Sequence, residues 1–216
     1  MKPGTPRLNE KEIALAVRRL SKDNVFARVA KRFPQPTLTH SNNAFRALVR
    51  AIIHQQLSTK AAATIEGRFV ALYRPKKFPK PEDMANTNIT AFRAVGLSGQ
   101  KSNYLQDLAR KFIDKTVDPK HFHVMSDEEI RAHVISVKGI AKWSADMFLI
   151  FALNRRNVLP TGDLAIQKGA QIFFALKTLP TPERIEKLAK SFKGDYTVFS
   201  LYLWKLADEA KQLKKK

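Results

Sequence analysis

The sequence predicts an all-α protein, and three observations carry that prediction. Apolar residues recur three and four apart, as in Phe45, Leu48, Val49, Ile52 and Ile53, which places them on one face of a helix. Residues that cap helix N-termini stand just ahead of such runs. No segment sustains the period-two alternation of a half-buried strand.

The elements follow in order. "NEKEIALAVRRL" opens with Asn9 and Glu12, a loose form of the cap-plus-acid signal. "SNNAFRALVRAIIHQQ" is the next helix, and Ser58 caps "TKAAATIEGRFVALY". "PKKFPKPEDMANTN" reads as a Pro-rich connection with about one turn of helix, and as a loop rather than a domain linker. "NITAFRAVG" stops at Gly96, and "SGQKSNYLQDLARKFI" follows. "SDEEIRAHVIS" begins with a capping box, Ser126 and Glu129. Then come "AKWSADMFLIFAL", "DLAIQKGAQIFFAL", "TPERIEKLAKSF" with Thr181 as cap and Pro182 in the first turn, and "YTVFSLYLWKLADEAKQL". The ends, "MKPGTPR" and "KQLKKK", read as frayed basic tails. The expected architecture is one domain, residues 1–216, made of two helical lobes.

Composition narrows the function. Lys and Arg number 39 against 19 Asp and Glu, a net charge of +20. Such an excess favours a polyanionic partner, nucleic acid before an anionic membrane surface. With no cysteine, disulfides, thiolate zinc sites and cysteine-ligated iron–sulfur clusters are excluded. The N-terminal "MKPGTPRLNEKE" lacks the apolar core of a signal peptide, and no apolar run reaches the roughly 18 residues of a membrane span. The expectation is a soluble intracellular protein (cytoplasm or nucleoid in a prokaryote, nucleus in a eukaryote), monomeric and with no membrane partner.

Two segments carry chemistry. In "VISVKGIAKWSADMFLIFAL" one helix ends near Val137, Lys138, Gly139 and Ile140 form a turn, and a second helix starts near Ala141. Such a hairpin, at about residues 126–154, points backbone N–H groups outward at a helix N-terminus, a place for an anion. Lys138 and Lys142 flank it, so a DNA phosphate fits without any base being read. On its own it is equally an ordinary αα-hairpin with solvated lysines. In "VLPTGDLAIQKG" a lone acid, Asp163, stands at the mouth of a helix behind Pro160 and Gly162. On its own it is an N-cap, the commonest use of Asp there.

Together the two segments say more. Gly139 lies 24 residues before Asp163, with an apolar helix between them. This arrangement resembles the helix-hairpin-helix DNA glycosylase superfamily. More narrowly, "VKGIAKWSADMFLIFALNRRNVLPTGDLAI", "AIIHQQLSTKAA" and "GLSGQKSNYLQDLA" resemble the DNA-3-methyladenine glycosylase II group, in order and spacing, over roughly residues 41 to 205. The resemblance implies a helix-hairpin-helix motif, an active-site cleft between the lobes, and double-stranded DNA with a damaged base as partner. It makes Asp163 the catalytic acid, working without metal or cofactor. Gln55 and Gln56 approach the DNA, Gln56 as the wedge that fills the gap left by a flipped base. Ser58 joins Lys138, Gly139, Ile140 and Lys142 at phosphate; Ser98, Lys101 and Tyr104 line the cleft or touch phosphate, and for Lys101 a solvated face is an equal alternative. Trp143 stands where relatives that also cut the backbone carry a lysine, which implies a monofunctional enzyme. Trp143 also offers an indole face to a methylated base, with plain core packing as the alternative; Met147, one turn on, is equally a pocket wall or a core filler, and Tyr196 is the third candidate for the base pocket.

Departures from the group's pattern are equally specific. The second hairpin glycine is Ala141, and Gly194 and Asp195 replace an aromatic-Arg pair. One aromatic wall is therefore missing, with Phe192, Tyr196 and Tyr202 as candidates to replace it. No role follows for His54. Two alternatives stay open: a helix-hairpin-helix protein that binds DNA without chemistry, and a same-fold glycosylase for oxidised or mismatched bases. Asp163 at its spacing argues against the first, and Trp143 with the absent cysteines against the second.

Overall fold

The computed structural model describes residues 7–213. Among them are twelve α-helices and two 3₁₀ turns, with no strand and one isolated backbone bridge, Arg7 to Arg155. No helix of the described residues is long and apolar enough to cross a membrane. The chain divides into two compact units, one of residues 41–148 and one of the described parts of 5–40 and 149–216.

The first unit begins with α3 (Ala44–His54) and α4 (Thr59–Ala71). Asn43 and Ser58 cap them, each side chain accepting the N–H three residues on. The Pro-rich stretch supplies one short helix, α5 (Pro81–Ala85), and α6 (Ile89–Ala94) stops before Gly96, whose φ of 101° suits glycine. α3, α5 and α6 pack on α7 (Gly99–Ile113), and Leu105 and Leu108 of α7 are buried, as are Leu48, Ile52, Phe69 and Phe92. The hairpin closes the unit. Ser126 and Glu129 make the expected capping box of α8 (Asp127–Ile135), and α9 (Lys142–Phe151) follows the turn.

The second unit packs α1 (Glu10–Leu20) and α2 (Asn24–Arg32) with α10 (Leu164–Phe173), α11 (Pro182–Leu188) and α12 (Tyr196–Leu213). Phe26, Phe173, Phe192, Phe199 and Tyr202 form its aromatic centre; Phe192 stacks on Phe199 with centroids 4.3 Å apart. Gly169 lets α10 and α12 touch backbone to backbone, since a Cβ there would overlap the carbonyl of Leu203.

α2 escapes the sequence analysis, although Asp23 caps it and Phe26 and Val29 sit at helical spacing. The tails expected to fray fall mostly outside the described residues. Where they are described, that expectation is corrected. Arg7 hydrogen-bonds His40, the neighbouring Leu8 N–H donates to the carbonyl of Asn154, and residues 211–213 continue α12. These contacts and the helix hold the described segments in place.

Candidate active site

Asp163 occupies the N-cap of α10 with extended backbone (φ −78°, ψ 124°). Its Oδ1 accepts the N–H groups of Ala165 (2.8 Å) and Ile166 (2.9 Å), and also the indole N–H of Trp204 at 3.2 Å. The carboxylate is therefore a cap, and three donors fix its orientation. Trp204 lies on α12, and Phe151 stacks on it with centroids 5.7 Å apart. Asp163 also lines the end of a cavity of ≈ 730 Å³ between α10 and α12, whose walls include Leu164, Ile172, Leu179 and Ala207. Leu164 and Ile172 are exposed hydrophobics there.

The aromatic that touches Asp163 is not one that sequence singled out. Phe192 and Tyr202 are 4% and 1% exposed and belong to the core of the second unit. Tyr196 packs partly buried against that core. Trp204, 41 residues beyond Asp163, carries no local signal for the contact.

The departure at Asp195 has a structural reason. Its two oxygens accept Arg19 Nε and a second Arg19 nitrogen at 2.8 and 2.9 Å, and Arg156 Nε at 2.8 Å. Burial alone would push this carboxyl up. The two guanidiniums outweigh it and hold Asp195 below the usual carboxylate range. The loop before it is fixed by Gly194, whose N–H donates to Asn157 and whose φ is 101°.

In the first unit the turn between α8 and α9 is built around Gly139. Its φ is 80°, and a Cβ would overlap the ring of Tyr104, so only glycine fits on both counts. Tyr104 is thus the floor of the turn. The N–H of Lys138 donates to Asp107 on α7 at 2.8 Å. Arg131 on α8 pairs with buried Asp146 on α9 at 2.8 Å and ties the two hairpin helices; burial pushes the Asp146 carboxyl up, and Arg131 opposes it. Lys138, Gly139, Ala141 and Lys142 are exposed, as an anion-facing turn requires. Ile140 departs from expectation. Its side chain is 4% exposed and its N–H donates to Val137, so it belongs to the core and closes the turn.

Trp143 is 50% exposed. With Gln55, Gln56, Tyr104, Gly139 and Ser144 it lines a cavity of ≈ 420 Å³. Met147 lies half-buried one turn along α9. Ser98 and Ser58 serve as N-caps, accepting the N–H of Lys101 and of Ala61. Lys101 also departs from expectation: its ammonium is directed to the carbonyls of Ile53 (2.8 Å) and Gln55 (2.7 Å) rather than outward. Gln55 gives its side-chain N–H to the carbonyl of Gly139 at 2.8 Å. Gln56 is exposed in a left-handed conformation, φ 55°. His54 pairs with Glu66, which Arg50 also meets, and so ties α3 to α4.

The model for "HhH-GPD superfamily base excision DNA repair protein" matches residues 49–193, and the chain belongs to that family. It is 34% identical over 176 residues to DNA-3-methyladenine glycosylase 1 of Schizosaccharomyces pombe, covering 80% of this chain and 77% of the relative. Among solved structures, Schizosaccharomyces pombe 3-methyladenine DNA glycosylase (Mag1) in complex with abasic DNA superposes with a TM-score of 0.77 at 31% identity, over 88% of this chain and 95% of that one. A DNA-3-methyladenine glycosidase from Bacillus halodurans superposes with a TM-score of 0.83 at 26% identity, over 94% and 92%.

Proposed function

We propose that this protein is a monofunctional DNA glycosylase that hydrolyses the N-glycosidic bond of alkylated purines in duplex DNA, as one domain and as an intracellular monomer. The observation that carries the reading is Asp163, which lies inside the family match with its carboxylate oriented by Ala165, Ile166 and Trp204. The names of the relatives, 3-methyladenine glycosylases, support the substrate class.

The chemistry follows from charge. As the base departs, positive charge grows on the deoxyribose, and a carboxylate beside that sugar stabilises it and orients or deprotonates the attacking water. Unit charges ~4 Å apart at an effective dielectric of ~20 attract by ~4 kcal/mol, on the order of 10³-fold in rate. An alkylated purine is already a cationic leaving group, so one carboxylate suffices without a metal. Trp143 has no amine for a Schiff base, and its exposed indole offers a face to an electron-poor methylated base, worth ~0.5–2 kcal/mol. Met147 forms a further wall. In this reading Lys138, Gly139 and Lys142 hold a phosphate, and Gln56 enters the gap left by the flipped nucleotide.

The test is base release from duplexes carrying 3-methyladenine, 7-methylguanine, ethenoadenine or hypoxanthine, run beside Asp163→Asn. The wild type should release at least the methylated purines. The variant should lose release while binding DNA as before, because the carboxylate opposes charge present only in the transition state. Near wild-type release by Asp163→Asn would show that the chemistry resides elsewhere.

A further inference from the structure

The turn between α3 and α4 ends one helix at Gln55 and begins the next at Ser58. In two residues it must reverse the chain and expose Gln56 with a positive φ, a conformation that L side chains disfavour. Something has to hold it. The last carbonyls of α3 lack intrahelical partners, and Lys101 meets two acceptors at this end, the carbonyls of Ile53 and Gln55. Reaching them draws the ammonium partly out of water, and this burial holds Lys101 below the usual lysine range.

The same helix, α7, grips the hairpin. Tyr104 lies one turn beyond Lys101 and floors Gly139, and Asp107 a further turn on binds the N–H of Lys138. The loop and the hairpin are also joined directly, through the Gln55 side chain and the Gly139 carbonyl. One face of α7 thus sets the spacing between the turn that carries Gln56 and the turn that carries Lys138 and Lys142.

We propose that Lys101 is a positioning residue for base displacement: by binding the carbonyls of Ile53 and Gln55 it holds Gln56 in the pose that enters the DNA stack, in register with the phosphate-binding hairpin. The proposal rests on the DNA-glycosylase reading above and assigns to Lys101 a task other than phosphate contact. A lysine whose ammonium is committed to two carbonyls keeps its charge but is not placed on a phosphate. Its loss leaves two polar groups unsatisfied and the turn free to relax away from positive φ at Gln56.

The experiment uses the full chain and a duplex holding a tetrahydrofuran abasic site opposite 2-aminopurine. Fluorescence rises when a side chain enters the gap and unstacks that base. Lys101→Met should weaken this signal about tenfold, the effect of removing hydrogen bonds from a charged donor, while affinity for undamaged duplex stays within about twofold because phosphate contacts remain. Lys101→Arg should restore most of the signal. Gln56→Ala should weaken it by a similar factor and leave a measurable remainder, and Lys101→Met added to Gln56→Ala should cost nothing further, as expected when one residue acts through the other. Full signal in Lys101→Met would overturn the proposal. So would multiplicative losses in the double variant, or a weakened undamaged affinity whose salt slope drops by about one counterion, the mark of a phosphate ligand. If Lys101→Met melts below the assay temperature, Lys101→Leu, which likewise has no donor, is judged by the same criteria. The readout needs no bond cleavage, so failure of the glycosylase reading is recorded separately, by base release from methylated DNA.

Discussion

The indole of Trp204 donates to the same Asp163 oxygen that caps α10. One carboxylate oxygen is therefore held from two helices, by backbone from α10 and by side chain from α12. Trp204→Phe keeps a ring to stack on Phe151 and removes only the donor. Single-turnover base release should fall about 10- to 150-fold, the worth of about 1.5–3 kcal/mol for a hydrogen bond to a charged group, with affinity for undamaged duplex unchanged. An unaltered rate would mean that the two backbone donors alone orient the carboxylate.

Lys138 and Lys142 should govern affinity and leave lesion choice alone. Both are exposed beside the Gly139 turn. Each Lys→Ala should weaken damaged and undamaged duplex alike, and each should lower the salt slope by about one counterion. A binding titration at several salt concentrations measures this; slopes equal to wild type in both variants would place the DNA on another surface.

Trp143 should be a substrate contact rather than a stability residue. At 50% exposure its truncation should cost about 1 kcal/mol or less, against ~3–5 kcal/mol for a core tryptophan. Trp143→Ala should reduce excision of cationic 3-methyladenine or 7-methylguanine more than binding of undamaged DNA. Wild-type protein should leave the abasic strand intact and resist trapping by borohydride. Thermal melting and excision on one preparation check the first pair of claims, and efficient trapping would contradict the last.

Asp195 should make the protein acid-sensitive. Its carboxyl is depressed in the folded state, so it favours folding above the unfolded value of about 3.9 and loses that contribution as pH falls through the folded value. Stability should drop below about pH 4, and Asp195→Asn should flatten that limb of the curve. At neutral pH the variant should be less stable by about 2–3 kcal/mol, below the 3–5 of a fully buried pair because Arg19 is partly solvated. Urea melts across pH 2–7 measure both.

Most of the helices were legible because their signals are local. Asn9, Ser58, Ser126 with Glu129, and Thr181 all cap where sequence places them, since a cap involves residues two or three apart. Asp163 was legible as an N-cap for the same local reason. What escaped is non-local. Lys101 reaches carbonyls 46 and 48 residues away, and Arg19 reaches Asp195 across 176. A lysine on a helix surface reads as solvated or phosphate-bound until its acceptors are known. Ile140 shows the converse: the hairpin turn between exposed lysines still needs an apolar anchor, and the residue follows the core.

Gly169 sets how near α12 can lie to α10, and Leu203, which it touches, precedes Trp204. The height of the indole above Asp163 is thus governed by a hydrogen atom on a residue with no chemistry of its own. A methyl group there would act as a shim, lifting α12 and drawing the donor off its acceptor. Tolerance to change at position 169 is therefore set by the tolerances of a hydrogen bond six residues back along the chain, and the smallest side chain in this part of the protein works as its gauge block.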